Sequence, residues 1–304
     1  MKNFKKVLAV FLAALTIFSV TPFIEATVPV APIVSVAEAK SKVKLNKKKL
    51  TLVEGNSFKL KVKGTKKKVK WSSSNKKIAT VKKGKVVAKK AGKATITAKV
   101  GKKKYKCKVT VKPIPINVKN IAATYYQCTN SKSIVAVLKN NNKRAVDVHL
   151  SVVFYDAKGN IIDTYGDSNY CFEAGRTCAL HVIAPSDGYA TYKTKLTVDE
   201  SFYAKKTYVK NISISHHNVN DTGSSVLVEN ENIGSVNLDT VRASILYYDA
   251  NGRVIDYEYT YFSAKKAGDS AIDSFSVPYD KNSSNYDKIK FASYKIFIDH
   301  AYVY

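Results

Sequence analysis

Long apolar runs are scarce in this sequence. Only residues 7–20 (VLAVFLAALTIFSV) are predominantly apolar, and this run is shorter than the roughly 20 residues that a membrane-spanning helix needs. No later stretch approaches that length, which excludes a protein built from several membrane spans. The four cysteines are too few for a fold held together by disulfides.

Motifs that carry catalysis are also missing. The sequence has no glycine-rich phosphate loop, nucleophile elbow or paired carboxylates. Its five histidines show no metal-ligand spacing, and the adjacent His216 and His217 would point to opposite faces of a strand. Cys178 and His181 are three residues apart, which does not by itself make a catalytic dyad. We therefore expect no enzyme, cofactor or metal site.

Acidic residues are nearly absent from one segment. Residues 40–112 hold 28 lysines and one acid, Glu54, whereas residues 113–304 hold 20 basic and 20 acidic residues. The net charge of +28 therefore belongs almost entirely to one segment. Lysines could simply keep that segment soluble, but a small domain needs a net charge of only about 2–8 for this. The excess favours contact with a polyanion.

The N-terminus has the pattern of a signal peptide. Met1–Lys6 contains three lysines, the apolar run follows, and Ala37 and Ala39 are small residues at a cleavable position. This predicts a signal peptide at 1–39, with cleavage after Ala26 or an uncleaved anchor as alternatives. We expect a secreted, extracellular protein, associated with the cell surface and without a transmembrane anchor after cleavage.

Residues 40–112 alternate apolar and polar side chains in short runs separated by turns. Ala94, Ile96, Ala98 and Val100 would face inward in ATITAKV, and period two is typical of half-buried strands. The succession VKWSSSNKKIATV, KGKVVAKKAGKATITAKV and CKVTV resembles the bacterial immunoglobulin-like domain, group 2. The resemblance implies a β-sandwich with Trp71 in its core and implies no catalytic residues.

A short linker at 113–120, stiffened by two prolines, precedes a repeat. VVFYDAKGNIID at 152–163 and ILYYDANGRVID at 245–256 align at an offset of 93, which predicts two similar domains at 121–200 and 206–304. The Asp-Ala-Xaa-Gly turns favour hairpins, with turn chemistry a better account of Asp156 and Asp249 than calcium binding. These hairpins resemble the FxLYD-type β-sandwich. The fold class predicted for the whole chain is all-β, with three tandem antiparallel immunoglobulin-like sandwiches.

Cysteine and tyrosine leave alternatives open. Cys107 is in phase with inward residues, which predicts a buried thiol. Cys171 and Cys178 flank a loop and could form a disulfide, leaving Cys128 unpaired, although Cys128 could pair with either. Tyr257, Tyr259 and Tyr261 share one strand face, either as core or as a surface for sugar or protein.

The lysine runs define the candidate site. We expect polyanion binding by the residues of three consecutive runs: Lys47, Lys48, Lys49, Lys66, Lys67, Lys68, Lys102, Lys103 and Lys104. The partner expected is an anionic cell-wall polymer or surface glycan, with a protein partner also open. Nucleic acid is disfavoured because the few aromatic residues of this segment look internal. The leading hypothesis is a non-catalytic binding or adhesion protein. The alternative is a structural spacer or subunit of an exported assembly.

Overall fold

The computed structural model describes residues 42–201 and 207–303. The predicted signal peptide at 1–39 lies outside the described residues. The helices within these ranges are two single 3-10 turns, and everything else that is regular is strand. No described helix is long and apolar enough to cross a membrane. The all-β prediction is confirmed.

The first domain is a sandwich of nine strands. They are β1 (Lys44–Leu45), β2 (Lys49–Val53), β3 (Ser57–Lys59), β4 (Val62–Lys63), β5 (Val69–Ser73), β6 (Ala79–Lys82), β7 (Lys85–Ala88), β8 (Gly92–Val100) and β9 (Lys103–Lys112). The larger sheet has the order β2-β9-β8-β5, the smaller has the order β3-β7-β6, and β1 pairs with β4.

One pair departs from the predicted antiparallel arrangement. β2 and β9 run parallel, with Lys49 opposite Lys108 and Val53 opposite Lys112. The alternation of apolar residues determines which face each side chain takes, but it does not determine the direction of the neighbouring strand. The sequence pattern therefore could not reveal this parallel pair.

The core of the first domain contains the residues that the alternation placed inward. Ile96, Ala98 and Cys107 have no exposed surface, and Trp71 is half-buried against them. Gly84 lies beside Trp71 at φ +82°, where a Cβ atom would come within 2.5 Å of the Leu60 carbonyl oxygen. Only glycine fits this close approach without strain. The predictions of a buried Cys107 and of Trp71 at the core are confirmed.

The second and third domains have the same topology. The strands of the second are β10 (Ile121–Gln127), β11 (Ile134–Asn140), β12 (Val146–Tyr155), β13 (Ile161–Phe172), β14 (Thr177–Val182) and β15 (Thr191–Glu200). Those of the third are β16 (Ile212–Val219), β17 (Ser225–Asn232), β18 (Thr240–Tyr248), β19 (Val254–Tyr261), β20 (Ser270–Ser276) and β21 (Ser293–Tyr302). The sheets β10-β11-β14 and β13-β12-β15 correspond to β16-β17-β20 and β19-β18-β21. The predicted repeat is confirmed.

The repeated unit begins before the first strand of each domain. The 3-10 turns Val118–Asn120 and Val209–Asn211 have the same sequence, VKN, and each is followed by isoleucine. Ile116 packs against the core of the second domain. The second half of the predicted linker at 113–120 is therefore built into the second domain, and the repeated VKNI was the sequence signal for it.

The repeated hairpins use the aspartate turns as predicted. Asp156 Oδ1 accepts hydrogen bonds of 2.8 Å from the backbone N–H groups of Lys158 and Asn160. The side-chain hydrogen bond from Asn160 and these backbone bonds hold the pKa of Asp156 below its usual range. Asp249 makes the corresponding bonds in the third domain. Backbone donors satisfy both carboxylates, so turn chemistry accounts for them.

A buried asparagine fastens each repeat internally. Asn140 Nδ2 donates to the Phe172 carbonyl oxygen at 2.7 Å, and Asn232 Nδ2 donates to the Lys265 carbonyl oxygen at 2.9 Å. Both asparagines have no exposed surface. They tie the end of one strand to the loop that crosses between the two sheets.

The second and third domains form one packed unit. The outer face of β10-β11-β14 meets the outer face of β19-β18-β21 through a buried apolar cluster: Cys128, Val135, Ala179, Leu246, Val254, Tyr257 and Phe297. Asp256 accepts hydrogen bonds across the interface from Asn130 Nδ2 at 2.6 Å and Ser131 Oγ at 2.7 Å. This apolar and polar contact fixes the two domains against each other.

The tyrosine stripe divides between burial and exposure. Tyr257 is 4% exposed and stacks on His181 of the second domain, with 4.4 Å between ring centroids. Tyr259 and Tyr261 are about half exposed, at 50% and 53%. The Arg242 guanidinium lies 4.6 Å from the ring centre of Tyr259. The core interpretation holds for Tyr257 alone, and what covers it is a neighbouring domain.

The cysteines lie in separate environments. Cys107 belongs to the first core, Cys178 to the second, and Cys128 to the domain interface, all three as buried thiols. Because Cys178 is a thiol packed between sheets, the structure does not contain the Cys171–Cys178 disulfide. That pairing stays a prediction, which peptide mapping under non-reducing conditions would test.

Candidate functional site

The candidate site is the cationic surface of the first domain. Every described lysine between residues 42 and 112 is exposed. Among the described residues, the ion pairs lie in the second and third domains and none involves these lysines. Glu54, the single acid, accepts a hydrogen bond from the backbone N–H of Ala91. The positive charge is therefore not neutralised within the domain.

Two of the three predicted lysine runs meet at one end of the larger sheet. Lys66, Lys67 and Lys68 immediately precede β5, and Lys102 lies in the turn between β8 and β9. Val100 pairs with both Val69 and Lys103, which brings these two runs together. This end is opposite the one at which Lys112 leaves the domain.

The third predicted run lies elsewhere. Lys47 and Lys48 precede β2, and Lys49 is its first residue, opposite Lys108 in the parallel pair. The run therefore borders the middle of β9 at the edge of the larger sheet. The sequence runs thus mark loops and strand ends, not one continuous site.

The larger sheet has a lysine face of which the runs revealed only Lys49 and Lys104. Its outer positions alternate with the buried residues of β9, β8, β5 and β2, and they include Lys49, Lys70, Lys93, Lys99, Lys104, Lys106, Lys108 and Lys112. Most of these lysines stand singly between apolar residues in the sequence. The signal for them is the period-two alternation, which places these lysines on the face opposite the core residues.

Like charges stand directly opposite one another on this face. Lys99 lies between Lys104 on β9 and Lys70 on β5. Each such pair destabilises a sheet by roughly 0.2–1 kcal/mol. An anion that bound between these lysines would relieve the repulsion.

Hydroxyl groups interleave with the lysines. A shallow groove of about 500 Å³ runs over β2, β9 and β8, and its polar lining is Lys49, Thr51, Ser74, Lys93, Thr95, Lys108 and Thr110. Ammonium and hydroxyl groups both donate hydrogen bonds to anionic oxygens. The groove is chemically suited to phosphate, sulfate or carboxylate groups.

The smaller sheet carries a lesser version of this surface. Lys59, Lys85 and Lys82 lie side by side on neighbouring strands. The Lys59 Nζ atom donates to the Lys83 carbonyl oxygen at 2.6 Å, and half-buried Val87 lies in the same groove. Three lysines here compare with eight on the larger sheet.

A second polar cluster lies in the interface between the second and third domains. Asp299 is 3% exposed, and its Oδ1 atom accepts hydrogen bonds of 3.0 Å from the Ala179 backbone N–H and from Ser244 Oγ. Burial raises the pKa of Asp299 to about 7 against the lowering effect of nearby Arg242. Burial also lowers the pKa of His300 to about 4. The residues of this cluster are distant from one another in sequence, so no local motif indicated the cluster.

The histidines and acids do not converge on a metal site. His217 Nδ1 lies 2.9 Å from the Tyr294 hydroxyl, and His216 is paired in register with Glu229 on the neighbouring strand. Within residues 42–201 and 207–303, no group of three or more histidine, cysteine, aspartate or glutamate side chains could hold a metal ion.

The sandwich and its sequence pattern identify the class of the first domain. Residues 40–111 match the family model described as bacterial Ig-like domain (group 2). This confirms the resemblance drawn for the first domain. The FxLYD resemblance of the second and third domains stays a prediction. A search of curated proteins found no match.

Among solved structures, the chain is similar to domains of larger proteins. It is 14% identical to domains 5–6 of the S-layer protein SbsC, covering 77% of this chain and 95% of that one, with a TM-score of 0.21. It is also 14% identical to domains 4–9 of SbsC, covering 78% of this chain and 50% of that one, with a TM-score of 0.22. It is 13% identical to dimeric latent PorU from Porphyromonas gingivalis, covering 84% of this chain and 32% of that one, with a TM-score of 0.18. At these TM-scores the likeness does not extend to a shared arrangement of the whole chain.

Proposed function

We propose that this is an exported, non-catalytic protein of the cell surface, whose first domain holds it on anionic polymers of the cell envelope. The observation that carries the proposal is the uncompensated lysine surface: all described lysines of residues 42–112 are exposed and none is ion-paired. A domain that serves only solubility needs far less charge. Teichoic-acid-like phosphates are the ligands we favour.

The physical basis of retention is attraction between many weakly localised charges. Neighbouring strands are about 4.8 Å apart, within the Debye length of about 8 Å at physiological salt. The lysines therefore act on one polyanion together. Because lysine is a flexible point charge, each contact should be weak. Binding should be tight only when many lysines contact one polymer, and it should weaken as salt is added.

Retention on purified cell walls tests this function. The mature chain, residues 40–304, is incubated with walls that retain or have lost their anionic polymers, from about 50 mM to about 1 M NaCl, where the screening length falls to about 3 Å. We expect retention only on intact walls and at least a ten-fold loss at high salt. Equal retention on both kinds of wall, or retention unchanged in 1 M NaCl, contradicts the proposal.

A matched pair of variants tests the role of the first domain within the full chain. One variant changes the nine lysines of the three predicted runs to glutamine. The other changes nine lysines of the second and third domains, which removes the same formal charge. Only the first variant should leave the walls at low salt.

The packing of the second and third domains favours a further, structural role for that part of the chain. Their shared apolar cluster and the hydrogen bonds of Asp256 make a stiff two-domain arm. We propose that this neutral arm acts as a spacer or as a subunit of an exported assembly. Co-purification of a stoichiometric protein partner at 1 M NaCl would support the assembly role, and a monomeric protein under those conditions would support the spacer.

A further inference from the structure

The alternate residues of β9 form a linear row of cations. Lys104, Lys106, Lys108 and Lys112, with Thr110 in the remaining position, are on the outer face, whereas the residues between them belong to the core. At about 3.4 Å per residue, successive positions are about 6.8 Å apart and the row is about 27 Å long. A rigid strand therefore presents positive charges at regular intervals along one line.

The neighbouring strands reinforce this line instead of scattering it. β9 is an inner strand, bordered by β2 and β8. Lys49 lies beside Lys108, and Lys99 lies beside Lys104. Thr97 and Thr95 lie beside Lys106 and Lys108, where their hydroxyls can donate to the same anion. At Lys104, Lys106 and Lys108 the row thus offers an ammonium group and a second donor.

The spacing of the row fits a particular class of polyanion. In a three-carbon polyol phosphate, successive phosphates are separated by six bonds, or about 7 Å in extended form for bonds of about 1.5 Å. Each phosphodiester carries one negative charge, so one lysine can match one repeat. We propose that the outer face of the larger sheet docks a linear polyol-phosphate polymer with its axis along β9. This inference rests on the proposed function and names its site and ligand class.

Single-stranded nucleic acid also has closely spaced phosphates, but this face lacks what the bases need. Proteins that bind single strands stack the bases on aromatic side chains. The aromatic residues of the first domain, Phe58, Trp71 and Tyr105, pack against its core. The outer face instead offers lysine, threonine and serine, which suits a polymer without bases.

The smaller sheet supplies a matched control on the same domain. Lys59, Lys82 and Lys85 are exposed on its outer face and also lie in a cross-strand row. They run across three short strands and do not follow one strand axis. Removing three charges from either face changes the net charge equally, so any difference between the two variants reports geometry.

The experiment compares two triple variants of the mature full chain. One carries Lys104→Gln, Lys106→Gln and Lys108→Gln, and the other carries Lys59→Gln, Lys82→Gln and Lys85→Gln. Binding to poly(glycerol phosphate) and to single-stranded DNA with the same number of phosphates is measured over a salt series. We expect the β9 variant to lose at least ten-fold in affinity for poly(glycerol phosphate) at about 50 mM salt, with a salt slope lower by about 2. The control variant should lose no more than about three-fold.

Each outcome decides a separate point. Equal losses in both variants would overturn the β9 row and leave the proposed function standing. A wild-type protein that bound no poly(glycerol phosphate) but was retained on intact walls would overturn the polyol-phosphate ligand and leave the proposed function standing, whereas a protein that bound neither would refute both. DNA binding as tight as polymer binding, with the same dependence on β9, would overturn the polyol phosphate in favour of nucleic acid. Thermal unfolding verifies that both variants fold, and Lys106→Gln alone, the middle one of the three substituted positions, repeats the test with a minimal change.

Discussion

The carboxyl group of Asp299 should make the stability of the two-domain arm depend on pH. It lies on β21 with its Oδ1 atom accepting hydrogen bonds from the Ala179 backbone N–H and Ser244 Oγ, and its Oδ2 atom has no hydrogen-bond partner among the described residues. Burial raises its pKa from 3.8 to about 7. Between pH 3.8 and about 7, the carboxyl group is therefore protonated in the folded arm and ionised in the unfolded chain.

The sign and size of the pH effect on stability follow from the difference between these two pKa values. A raised pKa in the folded state means that the stabilisation is complete below pH 3.8 and is lost as the pH rises through about 7. A shift of about 3 units at 1.36 kcal/mol per unit corresponds to about 4 kcal/mol. Asp299→Asn imitates the protonated carboxyl. The variant should match the wild type near pH 4 and exceed its free energy of unfolding by up to about 4 kcal/mol at pH 8.

His300 changes the stability with pH in the opposite direction to Asp299, so the two contributions must be separated. Its pKa is lowered from 6.5 to about 4, so its contribution to stability is lost as the pH falls through that window. The wild-type pH profile is therefore partly flattened. The difference between variant and wild type at each pH isolates Asp299, although Arg242 and Asp167, which also face it, remain in both proteins.

Urea unfolding at pH 4, 5.5, 7 and 8 measures this difference. Asp221→Asn, at an exposed turn position, provides the control and should change stability equally at all four values. If the gain from Asp299→Asn is independent of pH, or if the variant is less stable than the wild type at pH 8, the reasoning is refuted.

Three further changes test the packing. Lys99→Glu places a carboxylate between Lys70 and Lys104 and should stabilise the first domain by about 0.5–2 kcal/mol in thermal unfolding at low salt, with the gain lost in 1 M NaCl. Gly84→Ala puts a Cβ atom against a backbone oxygen at positive φ and should cost about 1–3 kcal/mol by the same measurement. Asn140→Ala leaves buried backbone carbonyls without a donor and should cost about 2–3 kcal/mol in urea unfolding.

The fold was largely predictable because its signals are local. Alternation determines which side chains face inward, so Ile96, Ala98 and Cys107 could be assigned to the core from the sequence. The Asp156 turn could be assigned because an aspartate followed by glycine three residues later satisfies its own backbone. The repeat can be predicted by direct alignment of the two hairpins. The start of each repeat is marked by a VKNI segment, which lies upstream of the aligned hairpins.

The interface between the second and third domains was not predictable in the same way. Asn130 meets Asp256 across 126 residues of sequence, and nothing in either local pattern indicates the partner. Val135 and Ala179 occupy outer positions of their sheet, where the alternation rule expects polar residues. An apolar outer face was the available signal that another surface covers it.

The candidate lysine surface was predictable in charge but not in shape. The run Lys66–Lys68 stands out in the sequence, yet it lies in a loop. Lys106 and Lys108 are inconspicuous single residues, and only strand order and register place Lys108 beside Lys49 and put both on one face with the Lys99–Lys104 pair. Cross-strand neighbours depend on topology, which the sequence pattern does not specify.

The parallel pairing of β2 with β9 has a mechanical consequence. Tension applied through the second domain enters the first at Lys112 and runs along the axis of β9. Five residue pairs with β2 and nine with β8 flank that strand. Interstrand hydrogen bonds are oriented largely across the strands, so this pull loads them in shear, and many must yield together. If the proposed polymer binds along β9, force would pass along one strand between that polymer and the rest of the chain, without breaking the interstrand hydrogen bonds one at a time.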